Sequence, residues 1–442
     1  MSFNNDRRNY DTVVVGGGLA GLTAAIYLAR GGSRVTLFEK APEVGGRAQT
    51  RRQDGFLFNL GPHALYQGAE AQEVLDELGV SYAGAGPPIW KALTVHNNTL
   101  YRVPAGPRTF LSNDLLGVRE RLELMAALLN VMRASPAAAA AQSAQEWMHR
   151  RGASQRVREF MFMVGRTSTY SSTMREMSAE VFLLQLQLTL RHGVLYLDGG
   201  WQTLVDGLRR RALRAGVQIE TGCRVEEVVR GETGPELVLA DGRSAPAAAV
   251  VLAVEPKTAR GLLPQDDGLA SAVARMRPVM AATLDVALRR LPRPERPVVL
   301  GLRQPLYLSV YSAVAEVAPP GSALLHLAKY LQTDDEAEGA EQELEALMDL
   351  AQPGWRRELV HRRFVPHFNV VHHLAKPPDG LRGRAAGDLP QMPGVYLAGD
   401  WVGPEGWLAD AAFASGRAAA RLALRQTGRR LNSDPVRQLA YA

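Results

Sequence analysis

The sequence predicts an α/β protein in which a doubly wound, Rossmann-type domain carries an inserted α+β domain. Residues 11–15 form a β-branched run, followed by three glycines, a helical stretch to Arg30 and a second strand ending at Glu39. This order is that of a βαβ unit. Residues 119–191 then have the pattern of successive helices with no regular alternation of strands. We therefore expect a second domain to interrupt the first.

Later segments complete the division into two domains. Apolar runs between residues 280 and 329 alternate as antiparallel strands do, and residues 334–348 are predicted as one helix with an acidic first turn. A last buried strand at 395–398 and a helix at 410–425 return to the first domain. The predicted Rossmann-type domain comprises residues 8–85, 193–262 and 385–430, and the predicted inserted domain comprises residues 86–192 and 263–384.

Composition excludes several classes of protein. The chain has 442 residues, of which 46% are hydrophobic and 22% charged, so disorder and fibrous structure are excluded. A single cysteine, Cys223, excludes an internal disulfide and a cysteine-based zinc cluster, and it favours a cytoplasmic location. The net charge is +6 with no basic patch interleaved with aromatics, so no nucleic-acid partner is expected. We expect a soluble chain, with peripheral contact to an anionic membrane left open.

The glycine-rich turn after the first strand carries the main functional signal. Gly16, Gly18 and Gly21 form G-x-G-x-x-G between a strand and a helix, and Glu39 ends the next strand 18 residues later. Gly16 allows a tight turn, Gly18 lets the backbone approach a pyrophosphate, and Gly21 lets the helix pack closely on the strand. Glu39 can accept both ribose hydroxyls. The pattern predicts a dinucleotide site at the helix N-terminus.

A second pair of glycines indicates which kind of dinucleotide-binding protein the sequence resembles. Gly45, Gly46 and Arg47 follow Glu39, and a nicotinamide dehydrogenase does not need them. With them, residues 13–50 resemble almost throughout the opening of the FAD-dependent family of amine oxidases, protoporphyrinogen oxidases and phytoene desaturases. Residues 198–225 and 395–420 resemble two further blocks of that family. In layout the chain is most similar to phytoene-dehydrogenase-like members.

The resemblance implies FAD as a non-covalent cofactor, since residues 395–420 contain no cysteine for covalent attachment. It places the backbone of Val225 by the adenine and Asp400, after Gly399, on the ribityl chain. It places the N-terminus of the last helix, around Ala409 and Ala411, at the flavin pyrimidine. There the helix dipole stabilises the negative charge that reduction creates.

The candidate catalytic residues are His63 and Trp407. His63 follows Gly61 beside the expected flavin edge, where it either contacts flavin or substrate or is merely packed; Trp407 occupies a plausible aromatic-cage position. Arg166 and Tyr170 are candidates for the substrate cavity, with a polar loop as the alternative. The histidines of the chain do not have metal-ligand spacing, so no metal is predicted.

The family offers three functions. The first is removal of hydride from an apolar, possibly isoprenoid, substrate to flavin N5, giving a desaturated product, with oxygen or a quinone as the acceptor. The second is amine oxidation, which the absence of a lysine in residues 278–288 opposes; Lys329 on a later strand is predicted to be a solvated strand end. The third is non-redox binding as in GDP-dissociation inhibitors, which intact Glu39, Arg47 and Asp400 oppose.

Overall fold

The structure is a computed structural model that describes residues 10–232 and 234–429, so residues 8, 9 and 430 of the predicted domain bounds lie outside the described residues. The strands are β1 (Tyr10–Val15), β2 (Val35–Glu39), β3 (Thr50–Gln53), β4 (Phe56–Asn59), β5 (Leu65–Tyr66), β6 (Gly84–Ala85), β7 (Leu93–His96), β8 (Thr99–Arg102), β9 (Val194–Leu197), β10 (Gln218–Thr221), β11 (Val225–Arg230), β12 (Pro235–Leu239), β13 (Ser244–Leu252), β14 (Val279–Leu288), β15 (Val298–Gly301), β16 (Leu306–Val310), β17 (Ala323–Tyr330), β18 (Leu359–Val371) and β19 (Val395–Leu397). The helices are α1 (Leu19–Arg30), α2 (Glu70–Leu78), α3 (Pro107–Leu111), α4 (Val118–Arg133), α5 (Ala144–His149), α6 (Gln155–Thr169), α7 (Ala179–Arg191), α8 (Gln202–Arg214), α9 (Pro256–Leu262), α10 (Asp267–Ala274), α11 (Ala340–Ala351) and α12 (Ala409–Gln426).

The first sheet is mostly parallel and is buried on both faces. Its strands follow the order β10-β2-β1-β13-β12-β11, and β19 pairs with β13. The pairs β10–β2, β2–β1, β1–β13 and β13–β19 are parallel, whereas β11 and β12 form an antiparallel extension. Val14 packs with Ile26 of α1 and Phe413 of α12, while Val13 and Val15 pack on the opposite face. Burial on both faces explains the continuous apolar run of β1.

The second sheet is mostly antiparallel and holds helices on both of its faces. Its order is β18-β14-β17-β16-β15-β7-β8, with only β15 and β7 parallel among these pairs of described strands. Ala328 of β17 joins the core formed with helices α4–α7, and its neighbour Leu327 joins the core formed with α11. This period-two alternation is the strand signal that the sequence carries. The predicted mixed α/β class is confirmed.

Several local predictions need correction. The helix predicted at 334–348 is a short 3-10 turn, Asp334–Ala337, followed by α11 from Ala340, because Gly339 has φ = +73° and breaks the helical path. Helix α6 continues through Thr169, so Arg166 lies on a helix and not in a polar loop. Strand β18 has no counterpart among the predicted elements, since its half-exposed, Arg- and Pro-containing sequence is that of a sheet edge.

Lys329 is also placed differently from the prediction of a solvated strand end. The residue is 7% exposed and lies within β17. Its Nζ donates to Glu343 Oε1 of α11 at 2.6 Å. The ion pair therefore holds the Lys329 ammonium group on the face of the second sheet that packs against α11. Within residues 10–232 and 234–429, no helix is both long and apolar enough to cross a bilayer.

Candidate functional site

A cavity of about 830 Å³ opens where the parallel strands end. Val15, Glu39, Val254 and Gly399 line it, and each stands at or just after the carboxyl end of a strand of the first sheet. Ligands of open α/β sheets bind at this edge. The volume falls within the range of about 300–1,000 Å³ that is typical of small-molecule sites.

Most of the predicted cofactor residues come together in this cavity. Its lining includes the predicted residues Gly16, Gly18, Glu39, Gly45, Gly46, Arg47, Val225, Gly399, Asp400 and Ala409, and the predicted catalytic residue His63. Gly21, Gly61, Ala411 and Trp407 are not in the lining. Of the two candidates for the substrate cavity, Tyr170 lines this cavity and Arg166 does not. The Arg166 guanidinium instead donates to the carbonyls of Gly301 and Leu302, so Arg166 braces α6 against the second sheet.

The glycine turn fits a phosphate-containing ligand. A Cβ on Gly16, whose φ is +102°, would lie 2.4 Å from the Ala253 carbonyl oxygen, and a Cβ on Gly21 would lie 1.9 Å from the Gly16 carbonyl oxygen. Both positions therefore need glycine for close packing. A Cβ on Gly18 would meet no atom within 4 Å, so this backbone faces open space. Helix α1 begins here with no side-chain cap and no acidic residue in its first turn, which leaves N–H donors free for an anion.

Glu39 is held rigidly at the cavity wall. Its Oε2 accepts the Gly17 N–H at 2.6 Å and its Oε1 accepts the Ala41 N–H at 2.8 Å. These two backbone donors, one to each carboxylate oxygen, fix the Glu39 side chain next to the glycine turn. Lone pairs of both oxygens remain for hydroxyl donors of a ligand.

A cluster of charged side chains around the buried Asp400 lines another part of the cavity. Asp400 is 2% exposed; its Oδ2 accepts from Arg47 at 2.7 Å, and its Oδ1 lies 2.7 Å from His372 Nδ1. Arg47 also donates to the Val370 carbonyl at 3.0 Å. Burial by itself would raise the pKa of Asp400, but the charges and hydrogen bonds of Arg47 and His372 hold it below its usual range. The cavity wall therefore carries a fixed carboxylate, and His372 is a cavity residue that the sequence did not reveal.

Two aromatic side chains pack beside the His63 ring. The His63 ring lies 5.0 Å from that of Trp201 and 6.2 Å from that of Phe368, between centroids. His63 Nδ1 lies 3.0 Å from the Gly61 carbonyl oxygen, so Nδ1–H is the donor and Nε2 keeps its lone pair. Burial lowers the pKa of His63 to about 4, so the ring is neutral near pH 7. Gly61 does not line the cavity, but its carbonyl accepts the hydrogen bond that orients the His63 ring.

Trp407 does not form part of a cage at the cavity. Its side chain is fully buried, and its Nε1 donates to the Thr169 carbonyl at 3.1 Å, behind the cavity wall. Leu408, which follows it, reaches the cavity with a left-handed φ of 57°. The backbone at Leu408 directs the Trp407 indole into the core. Trp407 therefore packs in the core instead of forming an aromatic cage.

A second charged network lies in the second sheet, with Asp285 and His326 buried and Arg363 partly exposed. Asp285 of β14, His326 of β17 and Arg363 of β18 are register partners on adjacent strands. Asp285 Oδ1 lies 2.5 Å from His326 Nδ1, and Asp285 Oδ2 accepts from Arg363 Nε at 3.0 Å. Tyr311 packs edge-on against His326 and donates its hydroxyl to the His63 carbonyl at 2.5 Å. The network thus supports the backbone that carries His63.

Comparison with known proteins identifies the class. The pattern of the flavin containing amine oxidoreductases matches residues 19–424, and the chain therefore belongs to this family. The predicted relationship is confirmed, and FAD is the cofactor of this class of oxidoreductases, as the sequence predicts.

Curated relatives carry desaturase names. The chain is 28% identical to a carotenoid 3,4-desaturase of Haloarcula japonica over 52% of each chain. It is 26% identical to a 15-cis-phytoene desaturase of Narcissus pseudonarcissus over 59% of this chain and 50% of that protein. The chain thus matches about half the length of these relatives.

Solved structures share the fold over nearly the whole chain. An oxidoreductase from Methanosarcina mazei has a TM-score of 0.76 at 19% identity, covering 92% of this chain and 99% of that one. A putrescine oxidase with bound putrescine has a TM-score of 0.71 at 16% identity, covering 94% and 98%. A RAB GDI from Plasmodium falciparum has a TM-score of 0.59 at 12% identity, covering 97% and 100%. At these identities the likeness concerns the fold alone.

Proposed function

We propose that the chain binds FAD non-covalently in the 830 Å³ cavity and oxidises an apolar, isoprenoid-like substrate to a desaturated product. The observation that carries the proposal is the meeting in one cavity of an uncapped helix N-terminus, a fixed Glu39 and a buried Asp400 that is paired with the more exposed Arg47. The desaturase names of the curated relatives support the substrate class. Strands β10-β2-β1-β13-β19 serve as the Rossmann-type sheet in this proposal.

The adenine half of the cofactor occupies the glycine-turn end. The N–H groups at the start of α1, next to the open backbone of Gly18, would hold the pyrophosphate. Glu39 accepts the ribose hydroxyls, and Val225 lies beside the adenine. Cys223 also lines the cavity, two residues before Val225.

The flavin half occupies the Asp400 end. When bound, FAD supplies the two-electron chemistry by accepting a hydride at N5. The N-terminus of α12, at Ala409, directs partial positive charge towards the pyrimidine ring, where it stabilises developing negative charge. Asp400 accepts ribityl hydroxyls, and Arg47 holds the Asp400 carboxylate in place.

His63 and its aromatic neighbours face the reacting side. Trp201, Phe368 and Tyr170 exclude water from the cavity next to the ring of His63. Loss of hydride from one carbon and of a proton from its neighbour makes the double bond. His63 Nε2, which has no hydrogen bond to the residues that the structure describes, belongs to a neutral ring and is the group that takes the proton.

Amine oxidation is the second candidate, and it has less support. Strand β14 contains no lysine, and Lys329 is committed to Glu343 on the far side of the second sheet. Non-redox binding is disfavoured by the intact Asp400–Arg47 pair, which a protein without flavin does not need. Oxygen or a quinone would serve as the electron acceptor, and the cytoplasmic location is a prediction from the sequence.

Anaerobic reduction of the bound flavin tests the proposal. The FAD-loaded chain is mixed without oxygen with a detergent-dispersed phytoene-type polyene, with putrescine and with a porphyrinogen. Bleaching of the flavin band by the polyene, with gain of a conjugated double bond in the product, is the expected result. Bleaching by the amine alone, with hydrogen peroxide formed on exposure to air, contradicts the proposed substrate class and supports amine oxidation.

A further inference from the structure

The end of β18 brings a histidine from the second sheet into the cavity. His372 follows the last residue of this strand, Val371, and lines the cavity. Val371 is fully buried and is the register partner of Val279 in β14. Further along the chain, the Leu374 N–H donates to the Arg277 carbonyl at 2.8 Å. The backbone is therefore fixed on both sides of His372, which gives its imidazole ring a defined place in the cavity.

The His372 ring contacts one of the two carboxylate oxygens of Asp400. Its Nδ1 lies 2.7 Å from Asp400 Oδ1, whereas Oδ2 of the same carboxylate accepts from Arg47 at 2.7 Å. An ionised carboxylate can only accept hydrogen bonds, so Nδ1 carries the hydrogen and donates it. Arg47 also lies 3.4 Å from Nδ1, but neither group can accept from the other once Nδ1 is a donor. Each oxygen of the Asp400 carboxylate thus has its own donor.

The two donors differ in their exposure to water. The Asp400 side chain is 2% exposed, that of His372 is 12% exposed and that of Arg47 is 41% exposed. Water and salt screen an exposed charge more strongly than a sheltered one. A buried carboxylate also requires hydrogen bonds from the protein in place of those from water. His372 is therefore the more sheltered of the two groups that compensate for the burial of Asp400.

Other charged groups near Asp400 do not duplicate the contact with His372. The buried Arg384 guanidinium donates to the backbone carbonyl of Asp400 at 3.1 Å, not to its carboxylate. Glu255 lies on the far side of the ring, with its Oε2 4.0 Å from His372 Nε2. Within the described part of the chain, Arg47 and His372 are the two groups that donate to the Asp400 carboxylate. Loss of His372 would consequently leave Oδ1 without a donor from these residues.

We propose that His372 is a positioning residue for FAD, and that its Nδ1–H holds the Asp400 carboxylate in the orientation that accepts the ribityl hydroxyls. This inference rests on the proposed FAD site and adds a residue of the second sheet to it. Arg47 on its own fixes one carboxylate oxygen and leaves the other to turn about the side-chain bond. With both oxygens held, the carboxylate is arranged before the cofactor arrives, so less order has to be imposed on binding.

Substitutions of His372 that keep or remove one donor test this role. Asparagine places its side-chain N–H where Nδ1–H stands, whereas glutamine extends its amide towards the place of Nε2 and leucine has no donor. The rescue variant is therefore His372→Asn, and the two loss variants are His372→Gln and His372→Leu. The control is His367→Leu, which changes an exposed histidine of the same strand, β18. Equilibrium dialysis of each folded, FAD-free protein gives the FAD dissociation constant at several pH values.

Both loss variants are expected to raise the FAD dissociation constant about tenfold or more near pH 7, as the loss of a hydrogen bond to a charged group does. The rescue variant and the control are expected to stay within about threefold of the wild type. In the leucine variant the constant should rise further as the pH falls from about 8 to 5, because burial raises the pKa of Asp400 and His372 no longer opposes this. The wild type should show a smaller dependence on pH.

The outcomes separate this inference from the proposed FAD site. If the wild type and both loss variants bind FAD with equal constants, the positioning role is overturned and the FAD site stands. If His372→Asn weakens binding as much as the loss variants do, the role is also overturned, because the ring and not its Nδ1–H then matters. A wild type that binds no FAD overturns the proposed site and, with it, the role of His372.

Discussion

Asp410 offers the sharpest physical test of the site, because it is an acidic residue buried at the start of α12. Its side chain is 2% exposed, and its Oδ1 accepts the Ala71 N–H at 2.9 Å. Burial, with a smaller contribution from nearby Glu70, raises the pKa of Asp410 from 3.8 to about 8, although the Ala71 hydrogen bond opposes this. Asp410 is therefore protonated in the folded protein at neutral pH.

The raised pKa makes stability fall with rising pH. The unfolded chain loses this proton near pH 4, whereas the folded chain keeps it until about pH 8. Between these values unfolding releases a proton. Each rise of one pH unit therefore lowers the free energy of unfolding by about 1.4 kcal/mol. By pH 7, Asp410 has lowered the free energy of unfolding by about 4 kcal/mol relative to pH 4. Above the folded-state pKa, Asp410 causes no further decrease.

Asp410→Asn removes the titration and keeps the oxygen that accepts from Ala71. Urea unfolding of the FAD-free protein at several pH values between about 4 and 9 measures the free energy of unfolding. The variant is expected to match the wild type near pH 4 and to exceed it by up to about 4 kcal/mol at pH 7. Asp267→Asn, an exposed first-turn aspartate of α10, is the control and should follow the wild type. Parallel pH curves for wild type and Asp410→Asn would refute the reasoning.

Three further changes test the cavity. Glu39→Ala should increase the FAD dissociation constant about tenfold or more by equilibrium dialysis, while Glu43→Ala, exposed on the same loop, should not; equal constants would remove the ribose role. Gly18→Val should leave the melting temperature of the FAD-free protein nearly unchanged yet prevent FAD uptake, and normal uptake would contradict the placement of the pyrophosphate. Since the pKa of His63 is about 4, the rate of flavin reduction should show no inflection from His63 between about pH 5 and 8, and an inflection that His63→Gln abolishes would contradict a neutral ring.

The sequence predicts the glycine-turn end of the cavity well, because this end is built from contiguous residues. The strand, Gly16, Gly18, Gly21 and the start of α1 follow one another directly, so local geometry determines their arrangement. Glu39 comes next to them because β2 pairs with β1 in parallel register. A pattern of 30 or so residues is enough to specify this part of the site.

The reacting side is less predictable, because distant strands build it. His372 reaches Asp400 only through the course of β18, a strand whose edge-like composition concealed it. Asp285 and His326 meet through strand register, which no local pattern encodes. Trp407 lies in the core and not in a cage because left-handed backbone at Gly406 and Leu408 turns its indole inward, and such dihedrals are not evident from residue types alone.

Flavin content is the most direct measurement of the central claim that this cavity holds FAD. The purified chain is incubated with FAD, freed of excess by gel filtration, denatured, and the flavin in solution is identified and quantified against protein. The account predicts a yellow protein that releases one FAD per chain on denaturation, and a Gly18→Val variant that retains almost none. A colourless wild-type protein that takes up no FAD, although folded by circular dichroism, would contradict the account.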